Sequence, residues 1–319
     1  MKRTVYLSIL SIFLFSFISC KKEVNNKWDD TLYSGLIRIA CDANFKTLMD
    51  AEIRVFEAHN PKATIIPIYT SEIEAIRLLT EDSVRFALIT RDLNLKEQSL
   101  LKKHSMKAKK YLIAFDGIAL IINRANTDSV IGLQDLKKIL TGEITEWSQL
   151  NPQSPLGTIR VIFDNKESGI LRYSIDSITK GEALSSNLYA LNNYLEVMER
   201  VAQLPNSIGL IGVNTINDKN QLIYQNRFRL LRISKEEHAT VNNSYLPYAG
   251  DIAQENYPLW RPLYVILSDP KSGLSSGLSI FLANEIGQKI ILKSGLLPVT
   301  DPQNIPVNIK DEYPINNIK

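Results

Sequence analysis

The chain has 319 residues, of which 45% are hydrophobic, and its 37 Lys and Arg against 34 Asp and Glu give a net charge of +3. This composition excludes disorder and collagen-like repeats, and the small net charge excludes the broad basic surface that binds nucleic acid. The length suits about two domains.

The first residues have the pattern of an export signal. Lys2 and Arg3 precede an apolar stretch, residues 5–18, that is shorter than the roughly 20 residues needed to span a bilayer. Cys20 follows a small residue at the end of this stretch and resembles the lipidated cysteine of a bacterial lipobox. A plain secretory signal with an incidental cysteine is the alternative.

We therefore predict a signal peptide over residues 1–19, a lipid on Cys20, and a polar tether over residues 20–34. The lipid would hold the protein on a bacterial membrane, facing the periplasm or the cell exterior. Only Cys41 then remains, so no disulfide framework is possible and the core alone must stabilise the fold.

Strands and helices alternate after the tether. Apolar runs predict strands at residues 36–40, 65–69 and 86–90, with a helix after each of the first two. Pro67 indicates an edge strand or an irregularity, because proline has no backbone N–H to donate to a neighbouring strand. This alternation predicts a parallel or mixed sheet.

Local signals mark several helix ends. Ser71, with Glu74 three residues later, predicts a capping box, and Gly142 stands where a C-cap glycine would close a helix. A helix is also predicted to start at Ser168. Near the end of the chain, one helix is predicted through residues 278–286 and on to Gly295, followed by a proline-containing tail from residue 301.

Two extended segments, residues 111–122 and 257–266, are long for ordinary strands. The first is interrupted by Asp116-Gly117. Each segment could carry the chain from one domain into the other.

The order of these elements resembles that of the phosphate-binding lipoproteins of bacterial phosphate ABC transporters, within the type 2 periplasmic binding protein fold. The resemblance is carried by residues 116–124 (DGIALIINR), 136–147 (LKKILTGEITEW), 257–264 (YPLWRPLY) and 287–299. It implies an α/β protein of two lobes joined by two crossing hinge strands: lobe 1, residues 35–115 and 257–319, and lobe 2, residues 116–256. Asp116 and Gly117 would be the hinge, since glycine tolerates the backbone change that closure requires.

The resemblance also implies a cleft lined by four loops, where backbone N–H groups and helix N-termini bind an anion. Matched by position, the ligand-binding residues are Asn44, Phe45, Ser71, Thr90, Arg91, Ser168, Gly169 and Arg172.

Two positions depart from the family pattern. Ile170 stands where the family has a threonine, and Thr90 stands where typical phosphate binders carry an aspartate that accepts the ligand's proton. Arg91 could supply a bidentate contact instead. Without an acceptor from Asp42, Asp116 or Asp164, such a site would discriminate poorly between oxyanions, so the choice of oxyanion stays open.

Several of these residues also have a purely structural interpretation. Ser71 could be a helix cap only, and Arg91 could form a surface ion pair with Asp92. Arg172 could point into the cleft or into solvent. Glu72 and Glu74 in the first turn of their helix oppose an anion at that N-terminus.

A lysine-rich cluster is the one local excess of positive charge: Lys102, Lys103, Lys107, Lys109 and Lys110. Such runs are typically solvated faces; anionic lipid or a permease is the sharper alternative.

Catalysis has little support, because His59, His104 and His238 form none of the common metal or nucleophile motifs. We expect no enzyme, no metal and no cofactor. The expected function is capture of a small oxyanion, phosphate first, by a monomer that presents it to an ABC permease. The alternative is a surface lipoprotein of the same shape that acts as an anion sensor or interaction module.

Overall fold

The computed structural model describes residues 30–216 and 226–300. The predicted signal peptide, the predicted lipidation site Cys20 and the predicted tether up to residue 29 lie outside the described residues, as does the tail from residue 301. In the described ranges, no helix is both long and apolar enough to cross a membrane.

The strands are β1 (Ser34–Asp42), β2 (Lys62–Thr70), β3 (Phe86–Ile89), β4 (Lys109–Asn123), β5 (Val130–Gly132), β6 (Arg160–Phe163), β7 (Leu188–Ala190), β8 (Ser207–Gly212), β9 (Phe228–Ser234), β10 (Trp260–Leu267) and β11 (Leu297–Pro298). The helices are α1 (Lys46–His59), α2 (Glu72–Thr80), α3 (Leu95–Lys103), α4 (Leu133–Thr141), α5 (Gly169–Tyr173), α6 (Tyr194–Gln203), α7 (Val213–Ile216), α8 (Ala249–Ala253), α9 (Leu274–Ala283) and α10 (Glu285–Lys293).

The strands follow one path in the order β2-β1-β3-β10-β4-β8-β6-β7. β1 pairs in parallel with β2 and β3, whereas β10 is antiparallel to β3 and β4. β2 is at the end of this path, so the edge position predicted from Pro67 is confirmed. The mixed sheet predicted from the alternating pattern is confirmed as well.

β4 is long enough to pair with strands in both halves of this path. Its first part pairs with β10, and its second part, from Ile118 on, pairs with β8 and β9. Ile113 and Ala114 are buried in one core, while Ile118 and Leu120 are buried in another. The long segment therefore crosses between two packed units, as its length suggested.

We use lobe 1 and lobe 2 for the described parts of the two predicted ranges. The division at residues 115/116 and 256/257 stays a prediction. Tyr257 and Leu259, which the prediction assigns to lobe 1, pack in the core of lobe 2, and the returning strand β10 begins at Trp260.

Gly117 lies on β4 where the chain leaves the first core. A Cβ at this position would lie 3.0 Å from both Ile252 Cδ1 and Pro247 Cβ, so there is little room for a side chain. Close packing against lobe 2 is therefore a sufficient reason for glycine here. The hinge role of Asp116 and Gly117 stays a prediction.

The predicted capping box at Ser71 is only half formed. The Ser71 hydroxyl accepts a hydrogen bond from the Glu74 amide, but the Glu74 carboxylate pairs with Arg77. A complete box occurs instead at Asn94 and Glu97, at the start of α3. The predicted C-cap at Gly142 is confirmed by its left-handed φ of 87°.

The single helix predicted to run to Gly295 is wrong. Asn284 has an extended backbone and divides it into α9 and α10, and its Oδ1 accepts the amides of Ile286 and Gly287, both at 3.0 Å. An asparagine that caps a new helix ends the previous one, although the apolar pattern continues through it.

The predicted tether also ends earlier than expected. The Asp30 carboxylate accepts a hydrogen bond of 2.8 Å from the Leu274 amide at the start of α9. Gly273, the N-cap residue of that helix, has no side chain that could do so. Residues 30–34 therefore belong to the folded part of the chain.

Candidate functional site

The carboxyl ends of strands from both lobes meet at one place, which is where open α/β sheets bind ligands. β1 ends at Asp42, β3 is followed by Thr90, and β6 is followed by Asp164. We call the following residues at this place the cleft cluster, all buried except the half-buried Arg172: Asp42, Asn44, Glu72, Thr90, Asp164, Ser168, Gly169, Arg172 and Arg261.

Glu72, Thr90 and Arg172 form the most strongly connected part of the cleft cluster. Glu72 Oε1 accepts from the Thr90 amide at 2.7 Å and from Thr90 Oγ1 at 2.6 Å, and Glu72 Oε2 accepts from Arg172 Nε at 2.8 Å. Arg172 Nη2 also donates to Thr90 Oγ1 at 3.1 Å. Arg172 therefore points into the cleft from lobe 2, which decides between the two orientations considered from the sequence.

The charge state of Glu72 follows from these contacts. Its carboxylate is 1% exposed, and burial would raise its pKa. The charge and hydrogen bonds of Arg172, the hydrogen bond from Thr90 and the charge of Arg261 outweigh that effect, so the pKa is lowered. Glu72 is thus an ionised carboxylate inside the cleft.

Arg261 reaches the same place from β10. Its Nη1 donates to Thr90 Oγ1 at 3.4 Å, while its Nε donates to Asp116 Oδ2 at 3.0 Å. Burial would lower the pKa of Arg261, but the carboxylates of Asp116, Asp42 and Glu72 raise it further than burial lowers it. The guanidinium stays charged although it is fully buried.

Asp42 and Asp164 bring acceptors into the cleft. Asp42 Oδ1 accepts from the Asn44 amide at 3.0 Å, and Asp164 Oδ2 accepts from Asn44 Nδ2 at 2.7 Å. The other oxygen of each carboxylate has no hydrogen-bond partner in the described part of the chain. Burial raises the pKa of Asp42 to about 7, partly offset by Arg261. The cleft therefore contains acceptors as well as donors, although Thr90 in place of an aspartate had suggested donors only.

Ser168 and Gly169 lie on the lobe 2 side. Ser168 Oγ accepts from the Ile170 amide at 3.0 Å, and a hydroxyl in this role can still donate its own proton. A Cβ on Gly169 would lie 2.8 Å from Arg261 Nη1, 3.0 Å from Thr90 Oγ1 and 3.2 Å from Asp42 Oδ2. The Gly169 backbone is thus packed directly against groups of lobe 1.

Two further side-chain contacts join the lobes. Asn214 Nδ2 donates to the Asn44 carbonyl at 2.6 Å, and Ser71 Oγ donates to Glu167 Oε2 at 2.9 Å. Ser71 is therefore both a helix cap and a contact across the cleft, and Asn44 lies between two residues of lobe 2.

Phe45 and Arg91 are placed differently from the other predicted site residues. The Phe45 side chain is fully buried in the core of lobe 1, with the Arg261 guanidinium 5.5 Å from its ring centre. Arg91 Nη1 and Nη2 donate to the two Glu97 oxygens at 2.8 and 2.7 Å, and Nη1 donates to the Asp92 carbonyl. The ion pair of Arg91 is therefore with Glu97 and not with Asp92, which was the structural alternative considered from the sequence. A ligand contact from Arg91 stays a prediction.

The lysine-rich cluster lies at the surface, and its five lysines are exposed. Lys110 forms an ion pair with Asp92 and lies 5.0 Å from the centre of the Tyr264 ring. A role in binding lipid or a permease stays a prediction.

The sequence did not identify Arg261, Asn214 or Glu72 as members of the site. Arg261 had a usable signal, because a charged residue inside an apolar crossing segment must find a buried partner. Glu72 was considered only as a charge opposing the helix dipole. Asn214 follows an ordinary buried strand, and nothing in its neighbours distinguishes it.

Fold and site together define a two-lobed α/β protein with a polar cleft beside two crossing strands. A family model described as a PBP superfamily domain matches residues 27–284. The chain belongs to this superfamily of binding proteins, so the predicted type 2 periplasmic binding protein fold is confirmed, and the chain is a binding protein rather than an enzyme.

Comparison with individual proteins gives the same result. The phosphate-binding protein PstS of Staphylococcus aureus strain USA300 is 25% identical over 189 residues, which is 58% of this chain and 54% of the relative. The chain thus matches about half the length of these curated relatives. The predicted resemblance to phosphate-binding proteins is confirmed.

Solved structures share the fold. A proposed phosphate ABC transporter substrate-binding protein from Clostridium perfringens, with bound phosphate, has a TM-score of 0.69 at 22% identity and covers 83% of this chain and 100% of its own. An ABC-type phosphate transport receptor from Vibrio cholerae has a TM-score of 0.62 at 21% identity, with 83% and 100% covered. The regulatory domain of OxyR2 from Vibrio vulnificus, in a cysteine-to-serine mutant form, has a TM-score of 0.51 at 10% identity, with 82% and 96% covered.

Proposed function

We propose that this protein is an extracytoplasmic solute-binding protein that captures a small oxyanion, with inorganic phosphate the first candidate, and presents it to an ABC permease. One observation carries the proposal: hydrogen-bond donors from both lobes converge on one buried place. Arg172 and Ser168 belong to lobe 2, Thr90 to lobe 1, and Arg261 to the strand that joins them. The names of the relatives support phosphate among the oxyanions.

The mechanism would be binding and closure without bond chemistry. An oxyanion between the lobes would accept hydrogen bonds from guanidinium, hydroxyl and backbone N–H groups, which are strongest when the acceptor is charged. The free oxygens of Asp42 and Asp164 could accept hydrogen bonds from the protonated oxygens of the anion. Closure would then present a shape that the permease recognises.

Anchoring and assembly belong to the same proposal. Lipidation at Cys20 would hold the protein on the membrane, the tether would give it reach, and a single copy would suffice for binding because the cleft cluster comes from one chain. Mass spectrometry of the protein extracted from membranes tests the anchor: an N-terminal Cys20 that carries acyl chains supports it, and a mature N-terminus without lipid contradicts it.

Calorimetry of the purified protein with phosphate, sulfate and molybdate tests the ligand. Heat of binding and thermal stabilisation with phosphate would support capture of an oxyanion. The absence of both with all three anions would contradict it.

A second candidate function is that of a sensor or interaction module without a transport role. It is favoured by the number of cleft groups that already bind one another across the lobes, Arg172 with Glu72 and Asn44 with Asp164 among them. The fold does not decide between the two functions, because transport receptors and a regulatory domain share it. In the calorimetric experiment, the absence of oxyanion binding would leave only the interaction module. Binding would leave a receptor or an anion sensor, which loss of phosphate uptake on deletion of the gene would separate.

A further inference from the structure

The Glu72 carboxylate lies among the donors that an oxyanion in this cleft would use. Three N–H and O–H groups converge on it within 2.8 Å: the Thr90 amide, the Thr90 hydroxyl and Arg172 Nε. Carboxylate and phosphate oxygens accept the same kinds of hydrogen bond, most strongly from a guanidinium. Glu72 therefore takes up donors that a bound oxyanion would need.

The same carboxylate joins the two lobes. Glu72 begins α2 in lobe 1, and Arg172 is 100 residues later in lobe 2. Their ion pair of 2.8 Å has 1% of the Glu72 side chain and 25% of the Arg172 side chain exposed, so solvent screens it little on the Glu72 side. An oxyanion that took Arg172 Nε would have to separate this pair.

We propose that Glu72 is an internal anion that holds the lobes together in the absence of ligand and competes with the oxyanion for Thr90 and Arg172. The competition rests on the proposed function, whereas the clamp between the lobes does not. Glu72 would thereby determine how tightly the cleft binds anions: a chain with this carboxylate binds weakly, and one without its charge binds tightly.

Glu74 offers a matched control. It lies on the first turn of the same helix and carries the same charge, but it pairs with Arg77 of its own helix and not with lobe 2. Glu74→Gln therefore removes one negative charge from the same helix N-terminus and leaves the contact across the cleft intact.

The test compares Glu72→Gln, Glu74→Gln and the wild-type protein, first without ligand, by small-angle X-ray scattering. The clamp predicts a larger radius of gyration for Glu72→Gln than for the other two proteins. An unchanged radius overturns the proposal. If Glu72→Gln does not fold, Arg172→Gln removes the other half of the pair and must also increase the radius, with Arg77→Gln as its control; an unchanged radius for Arg172→Gln overturns the clamp equally.

Calorimetry with inorganic phosphate then tests the competition. Glu72→Gln should bind phosphate about tenfold more tightly than the wild-type protein, and Glu74→Gln should bind it like the wild type. Equal or weaker binding by Glu72→Gln overturns the competition and makes Glu72 a supporting partner of Arg172. If the radius increases but none of the proteins binds phosphate, sulfate or molybdate, the clamp stands and the proposed oxyanion function fails.

Discussion

Arg261 and Asp116 form a buried ion pair between the two strands that connect the lobes. They are direct register partners in β10 and β4, with 2.9 Å between Arg261 Nη2 and Asp116 Oδ2, and both are inaccessible to solvent. A buried pair of this kind adds little net stability compared with apolar residues, but the loss of one partner leaves an uncompensated charge.

Arg261→Met is therefore expected to lower the free energy of unfolding by about 3–5 kcal/mol, because it leaves the Asp116 carboxylate buried without its cation. Urea denaturation measures this change. Arg85→Met is the matched control, since Arg85 pairs with Asp82 at the surface and such exposed pairs contribute about 1 kcal/mol or less. Equal losses of unfolding free energy in the two variants would show that burial of the Arg261–Asp116 pair does not set the cost of breaking it.

Glu52→Gln is expected to make stability less dependent on pH. Glu52 lies on the buried face of α1, its oxygens have no partner in the described part of the chain, and burial raises its pKa from 4.5 to about 9. The folded state thus holds a proton that the unfolded state releases above about pH 4.5, so Glu52 lowers stability as pH rises from that value to about 9.

The contribution of Glu52 has a slope of up to about 1.4 kcal/mol per pH unit, which Gln cannot have. Relative to the wild-type protein, Glu52→Gln should become more stable as the pH rises from about 5 to about 8. Urea denaturation at several pH values measures the difference in the free energy of unfolding. Glu237→Gln is the control, because the Glu237 side chain is exposed. A constant difference between Glu52→Gln and the wild type over this range would contradict the prediction.

Gly169→Ala is expected to weaken phosphate binding about tenfold or more, because an extra methyl group in a packed contact costs about 1–3 kcal/mol. Its Cβ would lie 2.8 Å from Arg261 Nη1, so the lobes could not approach as they do in the structure. Gly250→Ala is the control, because a Cβ there meets nothing within 4 Å. Calorimetry measures both affinities. If Gly169→Ala bound phosphate as tightly as the wild-type protein, the Gly169 backbone would not be part of the binding site.

Arg172→Ala is expected to reduce phosphate affinity by about 1.5–3 kcal/mol, the contribution of a hydrogen bond to a charged group. Arg91→Ala should have the smaller effect, because Glu97 already accepts from both terminal nitrogens of Arg91. Titration calorimetry on the two variants ranks them. A larger loss of phosphate affinity in Arg91→Ala than in Arg172→Ala would contradict this ranking and make Arg91 a direct ligand contact.

Features that depend on neighbouring residues could be predicted from the sequence. The α/β alternation, the edge position of Pro67, the Ser71 cap and the Gly142 C-cap each follow from periodicity or from the backbone preferences of one residue. The crossing of β4 followed from a length that exceeds an ordinary strand. The break at Asn284 was missed because its side chain and the apolar pattern favour different structures at the same position.

The cleft itself needed the tertiary structure. Periodicity placed Ser168 and Thr90 at element ends, but it could not show that Arg172 meets Glu72 or that Arg261 meets Thr90, 171 residues away. The sequence determined which side chains were available and at which strand ends they lie. Only the packing of the two lobes decided which charges face one another, because the partner of a buried charge is set by distance in space and not along the chain.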